Sequence, residues 1–169
     1  MKRQILTTCV CLFALLSMAQ TNFRQLSFKA SIEAAKKENK LVFIDFYTDW
    51  CGPCRMMARD VFPQKELGEY MNEKFVNIKL NAEKEGRELA KFFEVNAYPT
   101  FIVVDTDKKV LFKKVGGAEA NAFMSELERT INPDMSPERM KGRYENGERS
   151  TRLVREYATY LLSQVRRNN

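Results

Sequence analysis

Residues 41–47, Leu-Val-Phe-Ile-Asp-Phe-Tyr, form an almost continuous run of apolar, β-forming side chains. A strand with one face in water alternates apolar and polar residues, whereas a strand covered on both faces is apolar along most of its length. Such a strand lies inside a sheet that has helices on both sides. The run therefore predicts an α/β fold with residues 41–47 as a central strand.

Two cysteines follow this strand, in the sequence Cys51-Gly52-Pro53-Cys54, and a helix-prone stretch begins at Arg55. Pro53 suits the first turn of a helix because its φ is already helical and no ladder N–H is lost. At a helix N-terminus, unpaired backbone N–H groups and the helix dipole stabilise a thiolate. The pattern predicts thiol redox chemistry with Cys51 as the nucleophile and Cys54 as the resolving thiol.

Two other roles for the cysteine pair are a zinc site and a purely structural disulfide. Zinc sites commonly use four Cys or His ligands, but the chain contains no His, and its only other cysteines are Cys9 and Cys11. A disulfide that closes so short a loop contributes little stability. We therefore favour redox chemistry over metal binding or inert thiols, and we expect neither a metal nor an organic cofactor.

The first 19 residues have the pattern of a secretory signal peptide. Two cations at residues 2 and 3 precede an apolar core over residues 5–16 and the small-x-small sequence Ser17-Met18-Ala19. We expect cleavage after Ala19 and export, to a bacterial periplasm. The alternatives are an uncleaved membrane anchor, for which the apolar stretch is short, and a lipoprotein anchored through Cys9 or Cys11, although neither follows a small residue.

Size and charge limit the remaining possibilities. Without residues 1–19 about 150 of the 169 residues remain, enough for one domain and a short appendix. The formal net charge is +6, but no basic stripe with interleaved aromatic residues is present, so nucleic-acid binding is not expected. An exported chain that keeps a single Cys-x-x-Cys pair is expected to use it for chemistry, because stapling a secreted domain usually takes several bridges.

Apolar periodicity predicts the other elements. Helices are predicted over residues 28–39, from the cysteines to about 61, over 63–71 and 85–93, and around Phe123, Leu127 and Ile131; strands are predicted over 75–81, 100–105 and 110–115. Because crossovers between parallel strands are right-handed, this order predicts one mixed sheet with helices on both faces.

Four segments together resemble the thioredoxin superfamily: Asp45-Phe46-Tyr47, Asp49-Trp50-Cys51-Gly52-Pro53-Cys54, Ala97-Tyr98-Pro99-Thr100, and Val115-Gly116 before the last helix of the domain. The resemblance covers about residues 25–131 and implies a thioredoxin fold. The break at Phe62-Pro63, with Phe75-Val76 opening the next strand, is more similar to secreted thioredoxin-like proteins and to the C-terminal domain of the membrane electron carrier DsbD.

Asp45 interrupts the apolar strand, and an unpartnered buried carboxylate is expensive. The resemblance implies that Asp45 takes the proton from Cys54 and that Lys79 pairs with Asp45 from the neighbouring strand. The alternative is a solvent-facing Asp45 with Lys79 lying along the surface.

The resemblance also implies a cis Pro99 that faces the disulfide, whereas a trans proline opening strand 100–105 is the alternative. Tyr98 before it is similar to the Tyr-Pro-Thr of protein disulfide isomerases. Trp50 offers an apolar wall to a docking polypeptide or, alternatively, packs over the strand end. The expected substrate-binding residues are Trp50, Gly52, Pro53, Tyr98, Pro99 and Gly116.

These patterns divide the chain into a signal peptide (1–19), a thioredoxin-like domain (20–132) and a C-terminal helical extension (133–169). A turn-rich linker over residues 132–137 is followed by a predicted short helix to Tyr144. A longer helix is predicted from near Ser150, with one apolar face. Its apolar residues are Leu153, Val154, Tyr157, Leu161 and Val165. This face packs on the redox domain, pairs with a second copy or contacts a partner; the oligomeric state is left open.

The resulting hypothesis is an exported thiol:disulfide oxidoreductase that reduces disulfides of exported proteins and draws electrons from a membrane thiol donor. The Gly52-Pro53 dipeptide resembles reducing thioredoxins, which favours the reductase direction. The alternatives are a disulfide oxidase or isomerase, and a partner-binding module whose thiols are regulatory.

Overall fold

A computed structural model describes residues 20–167 of the chain. The predicted signal peptide therefore lies outside the described residues. None of the helices within residues 20–167 has the length and hydropathy that a membrane span requires.

The core of the fold is a four-stranded sheet with strand order β2-β1-β3-β4. The strands are β1 (Leu41–Tyr47), β2 (Phe75–Asn81), β3 (Thr100–Val104) and β4 (Val110–Val115). β1 pairs in parallel with β2 and antiparallel with β3, and β3 pairs antiparallel with β4. The predicted mixed sheet is therefore confirmed.

The described part of the chain contains seven α-helices. They are α1 (Phe28–Glu38), α2 (Gly52–Met56), α3 (Lys65–Lys74), α4 (Arg87–Phe92), α5 (Ala120–Ile131), α6 (Pro137–Glu145) and α7 (Thr151–Arg167). A π-helical turn, Met57–Val61, extends α2 to the residue where the predicted helix ends. A 3₁₀ turn, Pro133–Met135, precedes α6, which begins at Pro137 after the N-cap Ser136.

The central strand β1 is buried on both faces, as predicted. Val42, Ile44 and Phe46 pack with residues of α1 and α4. Phe43 lies in a second cluster with residues of α3, α5 and the π-helical turn. Because side chains alternate along a strand, Asp45 points to the same face as Phe43. The sheet therefore directs this carboxylate toward the side that carries the cysteine helix.

Phe43 is the centre of an aromatic cluster that joins the helices to the sheet. Its ring centroid lies 5.8–6.4 Å from those of five other phenylalanines. These are Phe23, Phe62, Phe75, Phe101 and Phe123. Most of the pairs are tilted or edge-on, an arrangement that aromatic quadrupoles favour. The cluster ties the end of the π-helical turn and α5 to the strand that leads to the cysteines.

The segment before α1 covers part of the outer edge of β2, which sequence reasoning did not predict. Phe23 forms a parallel bridge with Asn77, and the Arg24 backbone N–H donates to the Asn77 carbonyl at 2.8 Å. The Arg24 side chain also pairs with Glu38 at the end of α1. An edge strand that is partly paired is less available to foreign strands.

The C-terminal extension packs against the redox domain. Arg152 at the start of α7 pairs with Glu128 near the end of α5, whereas Leu162 lines a groove with Ala122 in the first turn of α5. α7 therefore runs back along α5 in the opposite direction. Leu153 is buried with Met135 and Met140, which precede and lie within α6. Docking leaves three residues of the predicted apolar face exposed, namely Val154, Leu161 and Val165.

Replacing Phe43 by Ala should destabilise the protein by about 3–5 kcal/mol, because the fully buried ring contacts five others and its removal leaves a cavity. Phe92→Ala is the matched control, since the Phe92 side chain is 71% exposed. Chemical denaturation measures both free energies of unfolding. Equal losses in the two variants would contradict the central role of Phe43.

Candidate active site

The two cysteines lie where β1 passes into α2. Cys51 is the N-cap residue of α2, and a disulfide joins it to Cys54 in the first turn. The Cys54 backbone N–H donates to Cys51 Sγ at 3.1 Å. Cys51 is only 2% exposed and Cys54 3%, whereas Gly52 and Pro53 between them are exposed. After reduction, the same N–H and the helix dipole favour a thiolate at Cys51.

The loop before β3 and the loop after β4 bond to each other, and the second packs on the cysteine helix. The Tyr98–Pro99 peptide bond is cis, as expected, and the Pro99 carbonyl accepts a hydrogen bond from the Gly116 N–H at 2.8 Å. Gly116 has φ +87°, a left-handed conformation that glycine adopts without a Cβ penalty. A Cβ added to Gly117 would lie 2.8 Å from the terminal methyl of Met56. The absence of a side chain at Gly117 therefore lets this loop pack closely on α2.

Trp50 is fixed at the surface beside Cys51. Its side chain is 65% exposed, and its indole Nε1–H donates to both carboxylate oxygens of Glu83, at 3.1 and 3.2 Å. The ring of Tyr98 packs edge-on against it, with 5.9 Å between the centroids. These contacts bring together the residue before Cys51 and the residue before Pro99, as a binding surface would require.

Sequence reasoning missed Glu83 and Asn81, which support this surface. Asn81 is buried at the end of β2; its Nδ2 donates to Asp49 Oδ1 at 3.0 Å and its Oδ1 accepts from the Glu83 N–H at 2.9 Å. It thereby links the loop after β1 to the loop after β2. The only signal in the sequence is a polar residue at the end of an apolar strand, and that signal does not identify its partners.

Asp45 is buried and faces Lys79, its register partner on β2. The Lys79 Nζ lies 3.5 Å from Asp45 Oδ2, whereas Oδ1 has no hydrogen-bond partner among the described residues. Burial raises the pKa of Asp45 to about 6, and the Lys79 ammonium opposes that rise. The Lys79 Nζ also lies 4.5 Å from the centre of the Tyr47 ring. Asp45 is only 1% exposed, so it does not point to solvent at the strand end.

Within residues 20–167, no group of three or more His, Cys, Asp or Glu side chains is arranged to hold a metal ion. The site instead combines a dithiol pair at a helix N-terminus, an exposed aromatic residue beside it, and a buried carboxylate that points to the cysteine side of the sheet. These features suit thiol–disulfide exchange, in which one thiolate attacks and a second must be deprotonated.

Comparisons with known proteins agree with this geometry. The family model of thioredoxin matches residues 19–129. The chain is 36% identical to a candidate disulphide-isomerase from Bacteroides thetaiotaomicron, over 67% of this chain and 94% of that one, with a TM-score of 0.61. It is 30% identical to the oxidised DsbD C-terminal domain of Neisseria meningitidis, over 60% and 90% of the two chains, with a TM-score of 0.52.

The curated relatives match over shorter shares of their length. Thioredoxin H2-1 of Oryza sativa is 38% identical over 101 residues, which are 59% of this chain and 64% of that protein. Thioredoxin-T of Drosophila melanogaster is 39% identical over 67 residues, 40% of either chain. The chain thus spans less than two thirds of the length of these relatives. The family match covers more than half of the chain, however, and it includes both cysteines, Asp45 and Pro99. The chain has a thioredoxin fold with added C-terminal helices, and it belongs to the thioredoxin family.

Proposed function

We propose that this protein is an exported reductase of protein disulfides. The observation that carries the proposal is the position of Cys51 at the N-terminus of α2, where its Sγ accepts the Cys54 N–H at 3.1 Å. A sulfur in that position leaves readily as a thiolate and attacks as one. Disulfide exchange is the chemistry that this arrangement serves best.

The reaction proceeds in two exchanges. The Cys51 thiolate attacks one sulfur of the substrate disulfide, the substrate S–S bond breaks, and a mixed disulfide forms while the other substrate sulfur leaves as a thiolate. Cys54 then loses its proton and attacks Cys51 Sγ, so that the second substrate sulfur leaves. The two electrons pass to the substrate, and Cys51 and Cys54 end as the disulfide.

Asp45 is assigned as the group that accepts the Cys54 proton. With a pKa of about 6, Asp45 is mostly ionised near neutral pH. This pKa is close to the one that suits a general base at that pH. Asp45 Oδ1 has no hydrogen-bond partner within residues 20–167 and is therefore available, while Lys79 stabilises the ionised form through Oδ2. Burying a carboxylate lowers the stability of the fold, and a catalytic role explains why the protein has one at this position.

The direction of electron flow is the finer part of the proposal. Gly52-Pro53 resembles reducing thioredoxins, and the similarity to the Neisseria DsbD domain supports a reductase. Tyr98 and the similarity to a candidate disulphide-isomerase favour the alternative of an oxidase or isomerase. The reduction potential of the Cys51/Cys54 pair separates them: a reductase should lie near the thioredoxin value of about −270 mV, and a value near −120 mV would instead indicate an oxidase.

Export and partners follow from the same proposal. Residues 1–19 would direct the chain to a periplasm, where disulfide-containing exported proteins are the substrates. Electrons would come from a membrane thiol protein, since the reaction consumes the dithiol and requires another thiol to restore it. Cell fractionation of the tagged full chain tests the location, and a cytosolic protein of full length would contradict it.

The order of the two exchanges predicts different behaviour of the two cysteine variants. Cys54→Ser keeps the nucleophile but cannot resolve the mixed disulfide, so substrate proteins should accumulate on Cys51 and be released by dithiothreitol. Cys51→Ser should capture far less. Acid-quenched purification followed by non-reducing electrophoresis measures the adducts. Equal adducts from both variants would reverse or remove the assigned roles.

Asp45→Asn should slow resolution of the mixed disulfide more than the initial attack, because only resolution needs the proton acceptor. Stopped-flow measurement of the two phases with reduced protein and insulin separates the steps. Asp107→Asn, which changes an exposed carboxylate in the β3–β4 turn, is the control and should leave both phases unchanged. If Asp45→Asn slowed neither phase at neutral pH, Asp45 would not be the acceptor.

The same Asp45→Asn variant should also alter the pH dependence of stability. The pKa of Asp45 is raised in the folded state, so ionisation destabilises the wild-type protein as pH rises from about 4 to about 6. Asp45→Asn lacks this cost. The difference in free energy of unfolding between the variant and the wild type should therefore increase in favour of the variant as pH rises through this range, by about 3 kcal/mol in total once the pH exceeds about 6. Denaturation of the oxidised proteins at several pH values measures the difference, and a difference that is constant with pH would contradict the raised pKa.

A further inference from the structure

The C-terminal helix brings an apolar surface to the redox end of the domain. The family match ends at residue 129, so α7 lies outside the region shared with thioredoxin. From the pairing of Arg152 with Glu128, α7 runs back along α5 to the first turn of that helix. That turn comes directly after the loop of Gly116 and Gly117, which contacts Pro99 and α2.

A groove of about 380 Å³ lies between the two helices at this end. Asn121 and Ala122 of α5 form one wall, and Thr159, Leu162 and Ser163 of α7 form the other. Leu162 is 65% exposed although it lines a concave surface. Binding sites are commonly clefts of this size with apolar surface and a few polar groups.

The groove follows directly in the chain on the loop that contacts Pro99 and α2. Ala118 donates its backbone N–H to Met57 Sδ at 3.5 Å, and the next residue, Glu119, already lines the groove. Only the short loop from Gly116 to Ala118 therefore separates the groove from Pro99. We expect a protein whose disulfide reaches Cys51 to extend to the first turn of α5 as well.

We propose that this groove binds an apolar side chain of the substrate protein, close to its disulfide, and that α7 is thereby part of the substrate-docking surface. The inference rests on the proposed disulfide exchange at Cys51. Val154, Leu161 and Val165 of α7 are also exposed but do not line the groove, so they serve as the internal control.

The test compares Leu162→Glu with Leu161→Glu. Both leucines are exposed, at 65% and 46%, but only Leu162 lines the groove. Leu162→Glu should raise KM for insulin reduction about three- to tenfold with little change in kcat, because a charge replaces a partly buried apolar contact. Leu161→Glu should stay within about twofold of wild type. Ala122→Glu, on the other wall, should have the same effect as Leu162→Glu.

A small disulfide, 5,5′-dithiobis(2-nitrobenzoic acid), provides the second readout because it is too small to span the groove and the cysteines. All three variants should reduce it at the wild-type rate and keep the wild-type reduction potential. If Leu162→Glu left insulin reduction unchanged, or Leu161→Glu lowered it equally, the proposed role of the groove would be wrong and the proposed function would stand. A wild-type protein that reduces neither disulfide would overturn the proposed function on which the groove rests.

Discussion

Burial of β1 on both faces is the constraint on which the rest of the structure depends. The strand ends at Tyr47, and the cysteine helix begins five residues later at Gly52, so the position of the strand end determines where the thiols lie. The phenylalanine cluster around Phe43 holds the π-helical turn after α2, together with α5, against this strand. The packing of the core therefore also determines where the two cysteines lie.

The same burial explains the unusual state of Asp45. A central strand offers its residues no access to water, so a carboxylate there loses its hydration and its pKa rises. Lys79 lowers that cost only partly, since it approaches one carboxylate oxygen at 3.5 Å and leaves the other without a partner among the described residues. A wholly apolar strand would be more stable. The protein instead has a buried carboxyl group whose pKa of about 6 is close to neutral pH.

The surface around the disulfide is assembled from loops that are far apart in the chain. Trp50, Glu83, Tyr98 and Gly116 come from four different connections, and hydrogen bonds and ring contacts hold the first three together. Three of these loops begin at the end of a strand and the fourth begins at the end of α4, so the sheet and this helix set their positions. The extension adds a fifth contribution, because α7 ends beside the turn that follows Gly116 and Gly117. If the groove docks the substrate as proposed, α7 enlarges the docking surface beyond the thioredoxin domain.

Local sequence patterns were sufficient to predict most helices and strands and the position of the cysteine pair at the start of a helix. Three patterns depend only on residues that are near neighbours in the chain, so they could be recognised from the sequence. They are the apolar run of β1, the Cys-Gly-Pro-Cys sequence before a helix and the periodicity of α7. Three other features could not be predicted from the sequence: the bridge of Phe23 with Asn77, the hydrogen bonds of Trp50 with Glu83, and the direction of α7 along α5. Each of these joins segments separated by tens of residues, through side chains whose types fit many partners equally well. Only the packing of the whole chain selects one partner among them, because distance and burial, rather than residue type, decide which polar groups meet.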